Sequence, residues 1–130
     1  MSLCIATAGK LLTLAIAEFS LSWTHSVERI RWEETWHISD EGLRPVLAVV
    51  LGSGAGMEIP EGAKRIDGAW HYEPKLAPQK QVVLAASGMT QGAWQLCAEG
   101  QCYELGAKAG ETVTLFAEAC ESLPDGLRPR

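Results

Sequence analysis

From Phe19 onward apolar and polar positions alternate with a period of two. Phe19, Leu21, Trp23, His25 and Val27 fall on one side, and Ser20, Ser22, Thr24, Ser26 and Glu28 on the other. Small polar partners and a strict two-residue period mark a strand with one buried face. A second alternation follows, with Trp32, Glu34, Trp36 and Ile38 on one face and Arg31, Glu33, Thr35 and His37 on the other. A tight joint at Arg29-Ile30 would set Val27 opposite Trp32, His25 opposite Glu34 and Trp23 opposite Trp36. That joint lacks the Gly or Asn that the commonest two-residue turns prefer, and a longer loop would shift the pairing.

Further strands are expected at residues 3–7, 11–17, 43–51, 69–72, 82–87, 94–97 and 102–105. Turn residues separate them at Gly9, Asp40-Glu41-Gly42, Asp67-Gly68, Gly88, Gly92 and Gly100. Residues 73–80 hold Pro74 and Pro78 and read as an extended surface connection. Residues 112–120 fit a strand through Val113, Leu115 and Ala117 and also a helix through Val113, Phe116 and Cys120; the strand is preferred. The pattern predicts an all-β, antiparallel β-sandwich or partly open barrel of about eight to ten short strands. Residues 1–122 form one β domain in this reading, and 123–130, with Pro124, Asp125-Gly126 and Pro129, a loose tail.

Length and charge narrow the function classes. A chain of 130 residues buries roughly two-thirds of its unfolded surface, enough for one continuous core. The net charge is -5, and the basic residues form no run or stripe. Nucleic-acid binding is therefore not expected, since phosphate affinity depends on clustered Lys and Arg. No apolar stretch approaches the ~20 residues of a spanning helix. The run from Leu11 to Ala17, after Lys10 and ending in Ala-Ile-Ala, faintly resembles a signal peptide, but alternation continues past it and two core strands are preferred.

Four cysteines allow disulfides, inert thiols or a metal site. A two-residue turn at Glu99-Gly100 would place Cys97 and Cys102 directly opposite each other, where a bridge can form. Cys4 and Cys120 lie near opposite ends of the sequence, and a second bridge between them needs first and last strands to be neighbours. No C-x-x-C knuckle supports a metal centre, and His25, His37 and His71 have no ligand spacing. No metal and no cofactor is assigned.

Three groups of residues could carry chemistry. His25 and Glu34, among Trp23, Trp32 and Trp36, form the first: an imidazole oriented by a carboxylate is how many general bases are built, with Ser20, Ser26 or Ser53 as a hydroxyl nucleophile. The simpler reading of the same pair is a self-satisfying polar plug in the core, or a pair at a sheet rim in partial contact with water, since no nucleophile is tied to it by spacing. The second is Gly52-Ser53-Gly54-Ala55-Gly56-Met57, where Gly54 and Gly56 allow close backbone approach to a ligand, although no helix and no Lys follow, as a phosphate loop would require. A structural loop or bulge is the simpler reading. The third is Trp70, His71 and Tyr72, aromatic enough to line a small-molecule or sugar pocket or merely to cover the sheet.

Trp23-Thr24-His25-Ser26-Val27-Glu28, Trp32-Glu33-Glu34-Thr35-Trp36, the Gly52 to Met57 block and Asp67-Gly68-Ala69-Trp70 together resemble a bacterial family of uncharacterised proteins, domain of unknown function 1850. The resemblance runs from about Leu3 to about Leu105. It implies no defined activity; such proteins are often encoded beside tripartite (TRAP-type, TAXI subclass) transporters that use a periplasmic solute receptor. It therefore implies a periplasmic or envelope location, whereas the want of a clear export signal points to the cytoplasm. The leading expectation is a non-enzymatic binding or accessory module for transporter components or a small-molecule ligand, its site near His25, Glu34, Gly54, Gly56 and Trp70. A small hydrolase using His25, Glu34 and Ser26, and a purely structural domain, are the alternatives.

Overall fold

The computed structural model describes residues 2–7, 9–24, 31–51, 61–85, 94–106 and 112–117. Among these residues there are eleven strands and no helix. They are β1 (Leu3–Thr7), β2 (Lys10–Leu14), β3 (Glu18–Thr24), β4 (Arg31–Ser39), β5 (Gly42–Leu51), β6 (Lys64–Ile66), β7 (Ala69–Tyr72), β8 (Gln81–Ala85), β9 (Trp94–Ala98), β10 (Gln101–Leu105) and β11 (Thr112–Phe116).

The strands form two antiparallel sheets, one of order β2-β1-β11-β8 and one of order β10-β9-β3-β4-β5-β7-β6. Neither closes on itself, so the architecture is a sandwich and not a barrel. Alternation dictates which side of each strand turns inward. Leu3, Ile5, Leu84, Val113 and Leu115 of the smaller sheet meet Phe19, Leu21, Trp36, Ile38, Leu43 and Leu96 of the larger one in a single core. Residues 15–17 carry the chain from one sheet to the other, which ends β2 at Leu14 instead of at the expected residue 17. Ile16 nonetheless reaches the core, and the Ile38 amide donates to the Ala17 carbonyl at 2.9 Å.

Strand β11 pairs with β1, bringing Phe116 opposite Cys4, so the first and last described strands are indeed neighbours. Cys4 is disulfide-bonded; Cys120 lies outside the described residues. On the larger sheet Cys97 stands opposite Cys102 and the two are joined across the β9–β10 hairpin. Its turn has Glu99 at φ 50° and Gly100 at φ 82°, the positive pair of a type I′ turn. Asp67 and Gly68, at 50° and 79°, turn β6 into β7 in the same way. Strand β6 was not foreseen: three exposed residues give no alternation to detect.

The pairing of β3 with β4 corrects the expected register. Trp23 faces Trp32, Leu21 faces Glu34 and Phe19 faces Trp36. β3 ends at Thr24 and β4 begins at Arg31, so residues 25–30 connect them in place of a tight turn at Arg29-Ile30. The shift is by an even number of residues, so every side chain keeps its expected face while acquiring a different partner. Between β4 and β5 the register slips at Thr35/Trp36, and Pro45 sits at this irregularity opposite Trp36, a position where a residue without an amide hydrogen is tolerated.

Candidate functional site

Cross-strand pairing collects four of the five tryptophans into one row on the inner face of the larger sheet. Trp23 and Trp32 are directly opposed, with their rings stacked 6.1 Å apart and 10° from parallel. The ring of Trp94, on β9, lies 4.9 Å from that of Trp23 at 50°. On the other side Val50 stands between Trp32 and Trp70. Arg65, opposite Trp70, holds its guanidinium 5.6 Å from the ring centroid, a cation–π contact. Trp94 Nε1 is buried and has no hydrogen-bond partner among the described residues.

One step further along the strands runs a second row: Leu96, Leu21, Glu34, Ala48 and Tyr72. Leu96, Leu21 and Ala48 are buried. Glu34 is thus a carboxylate on the inner face, half-buried among apolar neighbours. Its Oε1 accepts a hydrogen bond from Trp36 Nε1 at 3.3 Å, and among the described residues it forms no ion pair. Burial pushes its carboxyl above the usual carboxylate range, and the Trp36 hydrogen bond opposes this only in part. Tyr72 is pushed up as well, first by burial and then by the charge of Glu34.

The two rows cross the limit of the core. Trp23 and Trp94 pack against the main cluster, whereas Trp32, Glu34, Trp70 and Tyr72 fall outside it and are each half-buried. The tryptophan row also marks the end of the sheet to which residues 25–30, 52–60, 86–93 and 107–111 attach, since β3, β5 and β10 finish there and β4 and β9 begin there. The end of a sheet where connections attach is where binding residues concentrate. Chemically the strip offers flat apolar surface, aromatic π-faces and one carboxyl group that can act as a counter-ion or, when protonated, as a donor.

Of the residues expected to carry chemistry, Glu34 and Trp70 are brought to the same face and Tyr72 joins them. His71, paired with Val49, turns to the opposite face, as does Ser20, paired with Thr35. His25, Ser26, Ser53, Gly54 and Gly56 lie outside the described residues. Glu34 stands opposite Leu21, so the strand pairing expected to join it to His25 is replaced. His37 lies on the outer face, where its Nε2 is 2.6 Å from Glu18 Oε2. Among the described residues no three His, Cys, Asp or Glu side chains come together in a way that could hold a metal ion. Trp94 was missed as a neighbour of the strip; its place depends on β9 pairing with β3, a contact between residues far apart in sequence.

No curated protein and no solved structure matches this chain. The family model described as "Domain of unknown function (DUF1850)" matches residues 19–105. That span starts at the second residue of β3 and stops at the last of β10, so it takes in nearly the whole larger sheet and both rows, and leaves β1, β2 and β11 outside. A match over this much of the sequence means that the chain belongs to the family of domain of unknown function 1850.

Proposed function

We propose that this protein is a non-catalytic binding module whose contact strip is the inner face around Trp32, Glu34, Trp70 and Tyr72, serving as an accessory to a tripartite solute transporter of the TRAP type, TAXI subclass. The observation that carries the binding part is the alignment of four tryptophans beside a half-buried carboxylate at the end of the sheet where four connections attach. Stability alone gives no reason to keep a carboxylate there, because among the described residues its desolvation is offset by only one hydrogen bond. His25 and Ser26, which directly follow β3, and Gly54 and Gly56, which follow β5, are proposed to contribute from the connections at that end. The transporter part rests on the family resemblance.

The hydrolase alternative requires Glu34 to orient an imidazole at position 25. Its cross-strand neighbours are Leu21 and Ala48, and its hydrogen bond comes from Trp36, which favours binding over catalysis.

Intrinsic tryptophan fluorescence reports on the strip directly. Titration with a panel of organic acids, amino acids, amines and sugars is expected to shift the emission for one class, and Trp32→Ala to remove the response. Co-purification of the tagged chain with transporter receptor or membrane subunits is the second measurement. A flat titration across the panel together with no co-purifying subunit would refute the reading.

A further inference from the structure

The strip has an electrostatic imbalance that points to the class of ligand. Glu34 is half-buried between Leu21 and Ala48, and among the described residues no cation stands against it. Among the described residues its one hydrogen bond, from the neutral indole of Trp36, leaves most of the carboxylate's accepting capacity unused. In the adjacent row, Trp32 and Trp70 flank Val50, and Trp70 already receives the guanidinium of Arg65 on its ring. Arg65 pairs with Trp70 on the far side of β7 from β5, so three strand spacings separate it from β4 and Glu34. A partly desolvated carboxylate beside indole faces matches a positive charge carried on apolar carbon. The anion supplies the counter-charge, and the ring quadrupoles attract the cation where water has been partly excluded.

We propose that the strip binds an organic cation, an alkylammonium or alkylguanidinium group, with Glu34 as its counter-ion and the indoles of Trp32 and Trp70 as its apolar walls. The proposal rests on the binding reading above and names the ligand class for the same strip. A neutral sugar or an anion would leave the Glu34 charge uncompensated, and an anion would add repulsion.

The test is a tryptophan-fluorescence titration of the full chain at neutral pH with choline, butylammonium and butylguanidinium, and with 3,3-dimethylbutan-1-ol as the neutral carbon analogue of choline. At least one cation is expected to bind roughly tenfold or more tightly than the alcohol, and Glu34→Gln to remove that preference. Glu34→Asp, which keeps the charge, should retain part of it; urea midpoints of both variants establish that they fold. If the alcohol binds as well as every one of the three cations, or Glu34→Gln leaves the preference intact, the cation assignment is overturned while the binding strip stands. If an acid or a sugar of the wider panel binds and no cation does, the assignment is overturned in the same way. If nothing in either series perturbs the tryptophans, the cation assignment is overturned, and if no transporter subunit co-purifies either, the binding reading falls with it.

Discussion

Glu34 and Trp36 stand two residues apart on the same face of β4, and the Trp36 Nε1–H donates to Glu34 Oε1 at 3.3 Å. Trp36 is 6% exposed and belongs to the core, whereas Glu34 lies outside it. The hydrogen bond therefore ties the candidate site to the buried core.

Stability should depend on pH through Glu34. Burial raises its native carboxyl above the ordinary value of 4.5, so the native state holds the proton more tightly than the unfolded chain does. Unfolding then releases a proton, and this group's contribution falls as pH rises from the unfolded value through the native one. Glu34→Gln removes the term. Urea midpoints should show the variant more stable than the parent at neutral pH, with the difference closing toward acid.

Phe19 and Trp36 are directly opposed and their rings stack 6.3 Å apart, 5° from parallel. Each is almost fully buried. Phe19→Ala and Trp36→Ala are each expected to cost about 3–5 kcal/mol. A double-mutant cycle in urea should return a coupling of about 0.5–1.5 kcal/mol between them.

The Cys97–Cys102 bridge closes a hairpin whose turn is already well defined, with the two cysteines five positions apart in the sequence. A loop this short contributes about 2 kcal/mol by restricting the unfolded chain. The double substitution Cys97→Ala/Cys102→Ala should lower the unfolding free energy by about that amount and leave the fold intact, as read by urea denaturation and near-ultraviolet circular dichroism.

Gly42 opens β5 at φ 125°, and a Cβ there would collide with the Gln79 carbonyl. That carbonyl accepts from the Leu43 amide at 2.8 Å, and the Gln79 amide returns a bond to the Leu43 carbonyl at 2.7 Å. Gly42→Ala should therefore cost more than the 1 kcal/mol or so of an ordinary strained substitution, of order 1–3 kcal/mol. Amide hydrogen exchange at Leu43 and Gln79 should accelerate in the variant.

Glu99 occupies the left-handed region at φ 50° beside Gly100. Glu has no local hydrogen bond to favour that conformation, whereas Asn does. Glu99→Asn should gain about 0.5 kcal/mol, seen as a raised urea midpoint with an unchanged slope.

Strand positions and faces were legible in the order of residues because both follow from a period of two. Phe19, Leu21 and Trp23 alternate with serines and threonine, and Trp32, Glu34, Trp36 and Ile38 alternate with the polar residues Glu33, Thr35 and His37, so the inner face of β3 and β4 could be named before any pairing was known. Positive-φ turn residues were equally local, and through Glu99-Gly100 they placed Cys97 against Cys102. The expected His25–Glu34 opposition was of another kind. It required a register, and a register is set by the length of the connection and by how two apolar faces best fit, neither of which a period can reveal.

What the order of residues alone determined, then, was an all-β chain with Glu34, Trp23, Trp32 and Trp36 turned to the buried side. Only tertiary pairing decided that Glu34 would meet Leu21, that Trp94 would cross to Trp23, and that the two rows would run past the edge of the core. Facing direction is a property of each residue and its two neighbours along the strand. Opposition and exposure depend on sheets assembled from segments as distant as β3 and β9, where packing of whole faces selects among alignments that the local pattern leaves equivalent.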